Sequence, residues 1–485
     1  MRLQALLKTL ADISIDIEIT GLSLDSRQVK DGFAFIALKG EHHHGLDFAE
    51  QAISKGAIAV IYEPEGAGVL PEVDIQWIAI SGLADKLGSI AATFYADPSQ
   101  QLKVIGITGT NGKTTCSQLL AQALDNSAVI GTLGWGDPNQ LMPTLNTTPD
   151  ALAVQQMLGS CLQRAKQIVA MEVSSHGLEQ GRVNGVNFTG AVFTNFSRDH
   201  LDFHGSMAEY LKAKMKLFKR PELKFAVLNL DDPQATEILA VIPRSVAIWT
   251  YSSQGRSQNN TESIWVTEQR YGSDGIRFDV HWNGKTLGAF TPLLGKFNLD
   301  NVLAIFTTLL ALGMDFSQAV SKLADLKPIC GRMERIGAVN QPTVVVDYAH
   351  TPDALEKVLE AVKSEKHLSV VFGCGGNRDQ GKRPEMRRIA ERYADRVIIT
   401  DDNPRNEAPE AIIQDIMRGC ETNKVEVIHD RASAIEAAIS QAKAGDYVVI
   451  AGKGHEDYQE INGVKWPFKD QEQVKKVLAV WGTLK

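Results

Sequence analysis

The chain has 485 residues, of which 44% are hydrophobic and 22% charged, and its formal net charge is −8 at pH 7. This length exceeds what one hydrophobic core usually organises, so we expect about three domains. The balance of 58 acidic against 50 basic residues argues against a non-specific nucleic-acid-binding protein, which usually carries a basic face. A small anionic substrate is compatible with this charge, because a local site can be positive.

The cysteines and the N-terminus indicate the compartment. The five cysteines are scattered and form no Cys-x-x-Cys pair, which is typical of a reducing cytosol and not of a disulfide framework or a zinc site. They are Cys116, Cys161, Cys330, Cys374 and Cys420. The start MRLQALLKTLADIS carries Lys8 and Asp12 within its apolar pattern, so we interpret it as an amphipathic helix and not as a signal peptide. No apolar run approaches the roughly 20 residues of a membrane span. We expect a soluble, cytoplasmic protein.

Two polar, proline-containing stretches divide the chain: YADPSQQLK (95–103) and DLKPICGR (325–332). They predict domains at residues 1–97, 98–328 and 329–485, which are ordinary domain sizes. In the middle block the β-rich runs KVIGIT, QIVAM, GAVFTN and KFAVLN alternate with helical stretches, and in the last block TVVVDYA, LSVVFG, RVIIT and DYVVIA do the same. This alternation predicts parallel sheets with helices on both faces, whose ligands bind beyond the carboxyl ends of the strands.

The segment KVIGITGTNGKTT is a β-rich run followed by a glycine-rich loop, and the helical stretch CSQLLAQAL comes next. Glycines let such a loop turn its N–H groups toward phosphate oxygens, and the helix N-terminus adds positive potential. Lys113 would reach the β- and γ-phosphates, and the Thr114 hydroxyl would bind Mg²⁺. The strict pattern requires glycine where this chain has Ile107. We therefore interpret residues 109–115 as a variant phosphate-binding loop, with a plain βα turn as the alternative.

Polar groups that suit a magnesium–ATP site follow two further strands of the middle block. Glu172 comes at the end of one strand, and TNFSRDHLDFHG places His200 after the next. Magnesium takes oxygen ligands near the phosphates, which strand ends on this side of a sheet supply. Ser206 and Glu209 then form a capping box at the start of a helix. Lys214 stands in this helix between two other lysines, a spacing that by itself is typical of a solvated face.

Four strands of the last block also end in polar loops. The loops are DYAHTPDAL, GCGGNRDQGKRPEM, TDDNPRNEAP and AGKGHEDYQ. The second loop combines glycines with Arg378, Lys382 and Arg383, which makes it a second potential anion site, and an ordinary glycine-rich turn is the alternative. The third loop places Arg405 behind two carboxylates and a proline.

Ten ordered segments between residues 109 and 459 resemble the Mur ligase family, ATP-dependent amide-forming enzymes of peptidoglycan precursor synthesis. They are GTNGKTT, NTTPD, EVSSHGL, TNFSRDHLDFHG, GKFNLDN, GRMERI, DYAHTPDAL, GCGGNRDQGKRP, DNPR and GKGHEDYQ. LDSR (24–27) and GEHHHG (40–45) look like the uridine-nucleotide end, so the resemblance covers essentially the whole chain. It implies three α/β domains: an N-terminal uridine-nucleotide-binding domain, a central P-loop ATPase-type domain with a parallel sheet, and a C-terminal Rossmann-like domain that binds the amino acid.

The resemblance also implies site residues. Those for ATP are Gly109, Thr110, Asn111, Gly112, Lys113, Thr114, Thr115, Asn298, Asn301, Arg332, Asp347 and His350. Those for the UDP-sugar-peptide are Leu24, Ser26, Asn146, Thr147, Thr148, Ser174, Gln180 and Arg182, while the contact within residues 40–45 stays open. Those for the amino acid are Arg378, Asp402, Asn403, Pro404, Arg405, Gly452 and Glu456. Those for Mg²⁺ are Thr114, Glu172, His200 and Lys214. The resemblance implies that CO₂ carbamylates Lys214 to N6-carboxylysine, which is an anionic ligand. It also implies that the catalytic residues are Lys113, Lys214, His200 and Glu172.

The family's chemistry explains the arginine in the third loop. ATP converts a carboxylate into an acyl phosphate, which an amine then attacks. Members with Asp-Asn-Pro-Arg resemble the enzymes that add meso-2,6-diaminopimelate to UDP-N-acetylmuramoyl-L-alanyl-D-glutamate, and lysine-adding members lack this arginine. A guanidinium binds a carboxylate bidentately, so Arg405 would recognise the second carboxylate of diaminopimelate. We expect a monomeric enzyme with no nucleic-acid or membrane partner and an open–closed hinge near residues 326–331.

Three other functions compete with the interpretation of the chain as a Mur ligase. Folylpolyglutamate synthetase shares the phosphate loop and the lysine carbamate, but the DNPR segment and the N-terminal uridine-type segments argue against it. A nucleotide switch or transport NTPase would have no use for NTTPD, the strand-end arginines or Lys214. A non-catalytic scaffold does not fit the combination of Lys113, Glu172 and His200. Phosphate release that depends on both substrates would separate a ligase from a switch.

Overall fold

The computed structural model describes residues 1–13, 16–40, 42–256, 262–272, 274–363, 365–418 and 424–482. Glu41, in the predicted uridine-type segment, and Cys420 lie outside the described residues. Within them, three β-sheets of four, eleven and six strands follow one another along the chain, and a two-stranded hairpin lies near the end. This α/β architecture confirms the predicted fold class.

The N-terminal unit is a small parallel sheet with helices. Its elements are α1 (Leu3–Leu7), β1 (Gly21–Ser23), β2 (Phe33–Ala37), α2 (Ala49–Ser54), β3 (Ala57–Tyr62), β4 (Gln76–Ala79) and α3 (Leu83–Phe94). All neighbouring strands run parallel, in the order β1-β2-β3-β4. Helix α1 covers only the first part of the predicted N-terminal helix, and its three leucines are buried. Ser26 lies in a 3₁₀ turn directly after β1.

The middle unit is built around eleven strands. Its elements are α4 (Pro98–Gln101), β5 (Lys103–Thr108), α5 (Lys113–Ala123), β6 (Ser127–Gly131), β7 (Gly134–Asp137), β8 (Gln140–Met142), α6 (Ala151–Gln163), β9 (Ile168–Glu172), α7 (Ser175–Glu179), β10 (Phe188–Phe193), α8 (Leu201–His204), α9 (Met207–Phe218), β11 (Phe225–Asn229), α10 (Ala235–Leu239), β12 (Ala247–Ser252), β13 (Glu262–Gly272), β14 (Gly275–Trp282), β15 (Lys285–Thr291), α11 (Lys296–Ala311) and α12 (Phe316–Ala324). The strand order is β15-β14-β13-β12-β11-β10-β5-β9-β6-β7-β8.

The centre of this sheet is parallel and buried on both faces. Strands from β13 to β6 across the centre pair in parallel, whereas the strands at both edges are antiparallel. Alternate residues of β5 enter different cores: Ile105 and Ile107 pack with α5 and α11, and Val104 packs with α6 and α9. Continuous apolar runs of this kind are what a doubly covered parallel sheet requires. Polar loops follow the carboxyl ends of three of these strands, β5, β9 and β10.

The C-terminal unit is a six-stranded sheet with helices and a hairpin. Its elements are β16 (Glu334–Ile336), β17 (Thr343–Asp347), α13 (Pro352–Val362), β18 (Leu368–Phe372), α14 (Lys382–Tyr393), β19 (Arg396–Ile399), α15 (Pro409–Met417), β20 (Val425–Val427), α16 (Arg431–Gln441), β21 (Tyr447–Ala451), β22 (Tyr458–Ile461), β23 (Val464–Pro467) and α17 (Asp470–Val480). The strand order is β16-β17-β21-β18-β19-β20, parallel except for β16.

Specific contacts join the three units. Gly88 of α3 lies against the loop before β10, and a Cβ there would be 1.8 Å from the Asn184 carbonyl oxygen, so only glycine allows this approach. Asn111 Nδ2 donates to Asp353 Oδ2 at 3.0 Å across the boundary between the middle and C-terminal units. None of the helices in the described residues is long and apolar enough to cross a membrane.

Candidate active site

A cavity of about 1130 Å³ lies between the middle and C-terminal units. Its middle-unit wall is formed by the loops after β5, β9 and β10 and by the start of α11. Its C-terminal wall is formed by the segment after β17, by α13 and by Arg378. The carboxyl ends of strands from two sheets therefore face one space.

The phosphate-type loop occupies the turn between β5 and α5. Gly109 and Gly112 have φ values of 156° and 86°. A Cβ on Gly112 would lie 2.4 Å from the Asn301 side-chain oxygen, so only glycine permits this packing of the loop on α11. Lys113 Nζ donates to the carbonyl oxygens of Gly109 and Thr110, both at 2.8 Å. Burial lowers the pKa of Lys113 below its ordinary value, although the charges of nearby carboxylates oppose this shift.

Glu172 connects the strand end to the phosphate-type loop. Its side chain is fully buried, and Oε2 accepts hydrogen bonds from Thr114 Oγ1 at 2.8 Å and from Thr132 Oγ1 at 3.0 Å. Oε1 accepts from the Thr132 backbone N–H at 2.8 Å. Arg332 of the C-terminal unit donates from Nη2 to the same Thr114 hydroxyl at 3.2 Å. An oxygen-rich pocket that both units share therefore surrounds the first turn of α5.

Lys214 is buried beside the same loop. Its side chain is 1% exposed, and Nζ donates to the Gly109 carbonyl oxygen at 2.8 Å. Nζ also lies 4.4 Å from the centre of the Tyr210 ring, and the Tyr210 hydroxyl is 3.2 Å from Thr110 Oγ1. Burial, followed by the charge of Lys113, lowers the pKa of Lys214 well below its ordinary value. Of the three lysines that the sequence pattern presents as a solvated face, this one is therefore a buried amine.

His200 lies across the loop from Lys214. Its backbone has a φ of 54°, and its ring centre is 4.8 Å from that of His176. Burial lowers the pKa of His200 to about 3, so its imidazole is neutral at pH 7. A neutral imidazole presents a lone pair and not a charge.

The C-terminal wall is aromatic and acidic. The guanidinium carbon of Arg332 lies 4.3 Å from the centre of the Tyr348 ring. Asp347 accepts backbone hydrogen bonds from Met333 and Ala349, both at 2.7 Å, and burial raises the pKa of this carboxyl. His350 Nδ1 lies 2.9 Å from the Tyr348 carbonyl oxygen. These bonds fix the end of β17 and the segment that follows it.

The far end of the cavity contains the segment NTTPD. Thr148 Oγ1 donates to the Glu172 carbonyl oxygen and accepts from the Ser174 N–H, both at 2.9 Å. Arg182 Nη1 donates to the Thr148 carbonyl oxygen at 2.9 Å. The Thr147 and Thr132 hydroxyls are 3.0 Å apart. This end of the cavity is therefore joined to the Glu172 pocket by hydrogen bonds.

The loop after β19 forms a separate charged cluster in the C-terminal unit. Arg405 has a φ of 55°, its Nη1 donates to the Gly376 carbonyl oxygen at 2.9 Å, and its Nε lies 3.4 Å from Glu460 Oε2. Asn403 Nδ2 donates to Glu456 Oε2 at 2.8 Å. Backbone bonds from Arg405 N to the Glu460 carbonyl oxygen and from Asn462 N to the Arg405 carbonyl oxygen attach this loop to β22.

Buried charges complete this second cluster. Lys453 is fully buried, and its Nζ donates to Asn403 Oδ1 at 3.0 Å and to Glu456 Oε2 at 3.1 Å. Burial raises the pKa of Asp402, but Lys453 and Arg431 more than offset it, so its pKa lies below the ordinary value. Asp402 Oδ2 is buried and has no hydrogen-bond partner among the described residues. The cluster therefore keeps an acceptor that the described residues leave unused.

Comparison with known proteins decides the family. Three family models match successive parts of the chain: "Mur ligase family, catalytic domain" at residues 18–95, "Mur ligase middle domain" at 107–309 and "Mur ligase, glutamate ligase domain" at 331–454. The curated UDP-N-acetylmuramoyl-L-alanyl-D-glutamate--2,6-diaminopimelate ligase of Pseudomonas aeruginosa is 49% identical over 476 residues, covering 96% of each chain. The Pseudomonas putida protein of the same name is 46% identical over 492 residues, covering 99% of each chain. A solved structure titled with this ligase name is 38% identical, with a TM-score of 0.67 and 99% of each chain covered.

The chain belongs to the Mur ligase family. It is therefore an enzyme, an ATP-dependent amide ligase, as the ordered segments predicted. The alternatives of a nucleotide switch and of a non-catalytic scaffold are set aside, because the relatives match essentially the whole chain and are named as ligases.

The cavity of this Mur ligase brings together most of the residues that the sequence assigned to ATP and to the sugar-peptide. Those that line it are Thr110, Asn111, Gly112, Lys113, Thr114, Thr115, Asn146, Thr147, Thr148, Glu172, Ser174, Arg182, His200, Lys214, Asn301, Arg332, Asp347, His350 and Arg378. Asn298 and Gly109 are not among the lining residues. Asn298 donates from Nδ2 to the Leu294 carbonyl oxygen at 2.8 Å, and Gly109 follows β5 directly.

Other assigned residues lie apart from the cavity. Leu24 and Ser26 are in the N-terminal unit, where Ser26 Oγ donates to Gln51 Oε1 at 2.6 Å. Gln180 is exposed at the end of α7. Asp402, Asn403, Pro404, Arg405, Gly452 and Glu456 form the separate charged cluster, and a Cβ on Gly452 would lie 2.7 Å from Asp402 Oδ2.

Sequence reasoning missed several residues of the ligase site. Thr132 follows β6, so the strand-end rule that selected Glu172 could also have selected it. Tyr210 lies four residues before Lys214 and therefore on the same helix face, a signal that the lysine spacing concealed. Asp353 contacts Asn111 from another domain, and no local pattern predicts such a contact.

Proposed function

We propose that this ligase joins the amino group of meso-2,6-diaminopimelate to the carboxylate of UDP-N-acetylmuramoyl-L-alanyl-D-glutamate, with ATP as the energy source. One observation carries the proposal: a single cavity has the phosphate-type loop on one wall and Arg378 on the other. The printed names of the similar ligases support the same substrates. We propose the domain limits 1–97, 98–328 and 329–485, and a monomer acting in the cytoplasm on peptidoglycan precursors.

The first step makes the carboxylate reactive. A carboxylate oxygen attacks the γ-phosphorus of ATP, the bond from that phosphorus to the β–γ bridging oxygen breaks, and ADP leaves. Lys113 and Arg332 stabilise the negative charge that spreads over the phosphoryl oxygens. Among the described residues, the acceptors of Lys113 Nζ are two backbone carbonyl oxygens at 2.8 Å, so its ammonium can turn to the phosphate without leaving a buried carboxylate unpaired.

The oxygen pocket fits a magnesium ion. Thr114 Oγ1 and Glu172 Oε2 lie 2.8 Å apart at the loop, and Mg²⁺ usually takes one or two protein oxygens beside phosphates and waters. In the described residues no group of three or more His, Cys, Asp or Glu side chains forms a ready metal site. Thr114, Glu172, His200 and Lys214 would hold the ion, which when bound supplies charge neutralisation at the phosphates.

Lys214 suits modification by CO₂. An amine must be neutral to attack CO₂, and burial lowers the pKa of Lys214 well below its ordinary value. The nitrogen lone pair forms the N–C bond, one C=O pair moves to oxygen, and the proton leaves to solvent. The product replaces the neutral amine beside the loop with an anionic oxygen, which favours a divalent cation there.

The second step captures the acyl phosphate. The amine attacks the carbonyl carbon, a tetrahedral intermediate forms, phosphate leaves, and the amine loses its proton. Arg405 and Arg378 recognise the distal carboxylate of diaminopimelate, and Asn403, Glu456 and Asp402 receive its ammonium. Gly452 permits close approach, and Pro404 fixes the turn before Arg405.

The two clusters must work together, so we propose that the C-terminal unit closes on the middle unit about a hinge at residues 326–331. Gly331 in this segment has a φ of 65°, in the left-handed region that glycine adopts freely. X-ray scattering with and without ATP and the sugar-peptide tests the hinge, and identical profiles would count against it.

An amino-acid panel tests the reaction. Phosphate release is measured with ATP alone, with each substrate singly, and with the sugar-peptide plus either meso-diaminopimelate or lysine. Release is expected only with both substrates and to be strongly favoured by diaminopimelate, because a site built for a second carboxylate rejects an analogue that lacks it. Release with ATP alone, or equal use of lysine, would refute the proposal.

A further inference from the structure

A buried arginine stands behind the two loops that the proposed function assigns to the amino acid. Arg383, near the start of α14, is fully buried. Its Nη1 donates to Glu407 Oε1 at 2.6 Å and to Asp415 Oδ2 at 2.9 Å, and its Nη2 donates to Glu407 Oε2 at 2.8 Å. This fork-to-fork pair is the arrangement in which arginine and carboxylate bind most strongly and with the most defined geometry.

Glu407 links the same arginine to the glycine-rich loop after β18. Its Oε2 accepts from the Asn377 N–H at 3.0 Å, and Arg383 Nη2 itself reaches the Gly375 carbonyl oxygen at 3.3 Å. The Arg383 guanidinium lowers the pKa of the Glu407 carboxyl, so this carboxylate stays charged. One ion pair therefore holds the glycine-rich loop and the segment that follows Arg405.

The two loops also meet each other directly. The Gly376 N–H donates to the Asn403 carbonyl oxygen at 3.0 Å, and Asn406 N donates to Asn377 Oδ1 at 3.1 Å. A Cβ on Gly376 would lie 1.9 Å from the Pro404 carbonyl oxygen, so the loops touch without space between them. Arg405 then donates to the Gly376 carbonyl oxygen, and Arg378 stands two residues further along the first loop.

We propose that Arg383 and Glu407 are positioning residues that set the distance between the Arg378 and Arg405 guanidiniums, and thereby the enzyme's preference for an amino acid with a second carboxylate. Neither residue lines the cavity. A recognition pair must hold its geometry within a fraction of an ångström, and the surrounding residues provide that rigidity. The inference rests on the proposed function and adds to it the residues that make the amino-acid site selective.

Two variants and one matched control test the inference. Arg383→Lys keeps a positive charge but cannot bridge Glu407, Asp415 and Gly375 together, and Glu407→Gln keeps the shape but removes the charge. Arg387→Lys is the control, because Arg387 is also buried on α14, contacts Glu391 and donates from Nε to the Ile416 carbonyl oxygen at 3.1 Å, away from both loops. The melting temperature of each variant reports any general loss of stability.

The expected result separates positioning from stability. In Arg383→Lys and Glu407→Gln the KM for meso-diaminopimelate rises about tenfold and the preference over lysine falls by a similar factor, the lower end of the losses typical when residues behind metal ligands are changed. The KM for ATP and the kcat at saturating diaminopimelate stay within about twofold of wild type, and Arg387→Lys changes neither the KM for diaminopimelate nor the preference.

The inference and the proposed function fail in different ways. If the wild-type enzyme uses meso-diaminopimelate but both variants keep its KM and preference, the positioning role is overturned and the function stands. If the wild-type enzyme prefers lysine, the proposed function falls and the inference with it. Equal rises in the KM for ATP and for diaminopimelate, or a rise in the control as well, would show a purely structural role. If Arg383→Lys does not fold, Glu407→Gln carries the test, because Glu407 is partly exposed and glutamine keeps its hydrogen-bonding shape.

Discussion

The phosphate-type loop and the amino-acid loops differ in the partners of their charged and basic side chains. Around the first, Lys113 Nζ and the buried amine of Lys214 both donate to the Gly109 carbonyl oxygen, and no carboxylate of the described residues accepts a hydrogen bond from either nitrogen. Around the second, the cations Arg405 and Lys453 each have an acidic partner: Arg405 lies by Glu460 and Lys453 by Glu456. The phosphate-type loop thus has lysine nitrogens bound to backbone oxygens, whereas the amino-acid loops contain paired ions.

The difference follows from the ligands proposed for each region. ATP brings several negative charges, so a lysine that is held by backbone oxygens, such as Lys113, can bind it without first breaking an ion pair. A diamino diacid brings both signs of charge, so paired side chains can exchange partners with it, and no charge is left buried alone. Substitutions in the phosphate-type loop region, in the amino-acid loops and at their boundary should therefore have different effects.

The largest effect is expected for Lys214→Ala. Loss of the buried amine removes the site proposed for the carbamate, so phosphate release should fall at least about a thousandfold, the scale on which groups that stabilise phosphoryl-transfer charge act. The matched control is Lys212→Ala on the same helix, because Lys212 is 65% exposed. Release by the control should match wild type, and a full-rate Lys214 variant would remove the lysine from the mechanism.

Arg405→Ala tests the paired cluster. We expect kcat/KM for meso-diaminopimelate to fall about a hundredfold or more, since truncating one partner of a hydrogen-bonded charge pair costs roughly 2–5 kcal/mol. Binding of ATP, measured by calorimetry, should be unchanged, because Arg405 does not line the cavity. Arg392→Ala, at a side chain that is 64% exposed, is the control. Normal efficiency with diaminopimelate would refute the role of Arg405.

The free energy of unfolding should depend on pH through His455, whose ring centre lies 5.0 Å from that of Tyr348. Burial, followed by the charge of Arg332, lowers the pKa of His455 to about 3 from 6.5. The folded state keeps this imidazole neutral while the unfolded chain takes up a proton below pH 6.5, so the free energy of unfolding falls as pH drops from 6.5 toward 3.

The slope expected from this one group is at most about 1.4 kcal/mol per pH unit. His455→Gln should therefore flatten the fall in melting temperature between pH 6.5 and 5 and change little at pH 8. A variant whose pH–stability curve runs parallel to that of wild type would show that His455 protonates equally in both states.

The smallest effect concerns the helix that positions Lys214. Ser206 Oγ accepts from the Glu209 N–H at 3.2 Å, which confirms the N-cap, although the Glu209 carboxylate lies by Lys212 at 3.4 Å. Ser206→Ala should lower the free energy of unfolding by about 1 kcal/mol and leave the KM for diaminopimelate unchanged. Denaturant unfolding measures the free energy of unfolding. A rise in the KM for diaminopimelate would link this helix to the charged cluster around Arg405.

Much of the fold was predictable because its signals are local. The runs KVIGIT, LSVVFG and RVIIT became β5, β18 and β19 within a residue of their predicted ends. The phosphate-type loop was predictable for the same reason: glycines, lysine and helix follow one another within a few residues. The Asp353–Asn111 bond was not, because its partners are 242 residues apart.

The sequence by itself determined the alternation of strands, helices and polar loops at the centre of the middle and C-terminal sheets, since apolar periodicity and turn residues act over a few positions. Tertiary structure decided which of three similarly spaced lysines is a buried amine, because α9 places only one of them under the loop after β5. It also decided that Arg383 contacts Glu407 and Gly375 and thereby links the loops after β19 and β18. Burial and partnership depend on which distant elements pack together, and no short stretch of sequence contains that information.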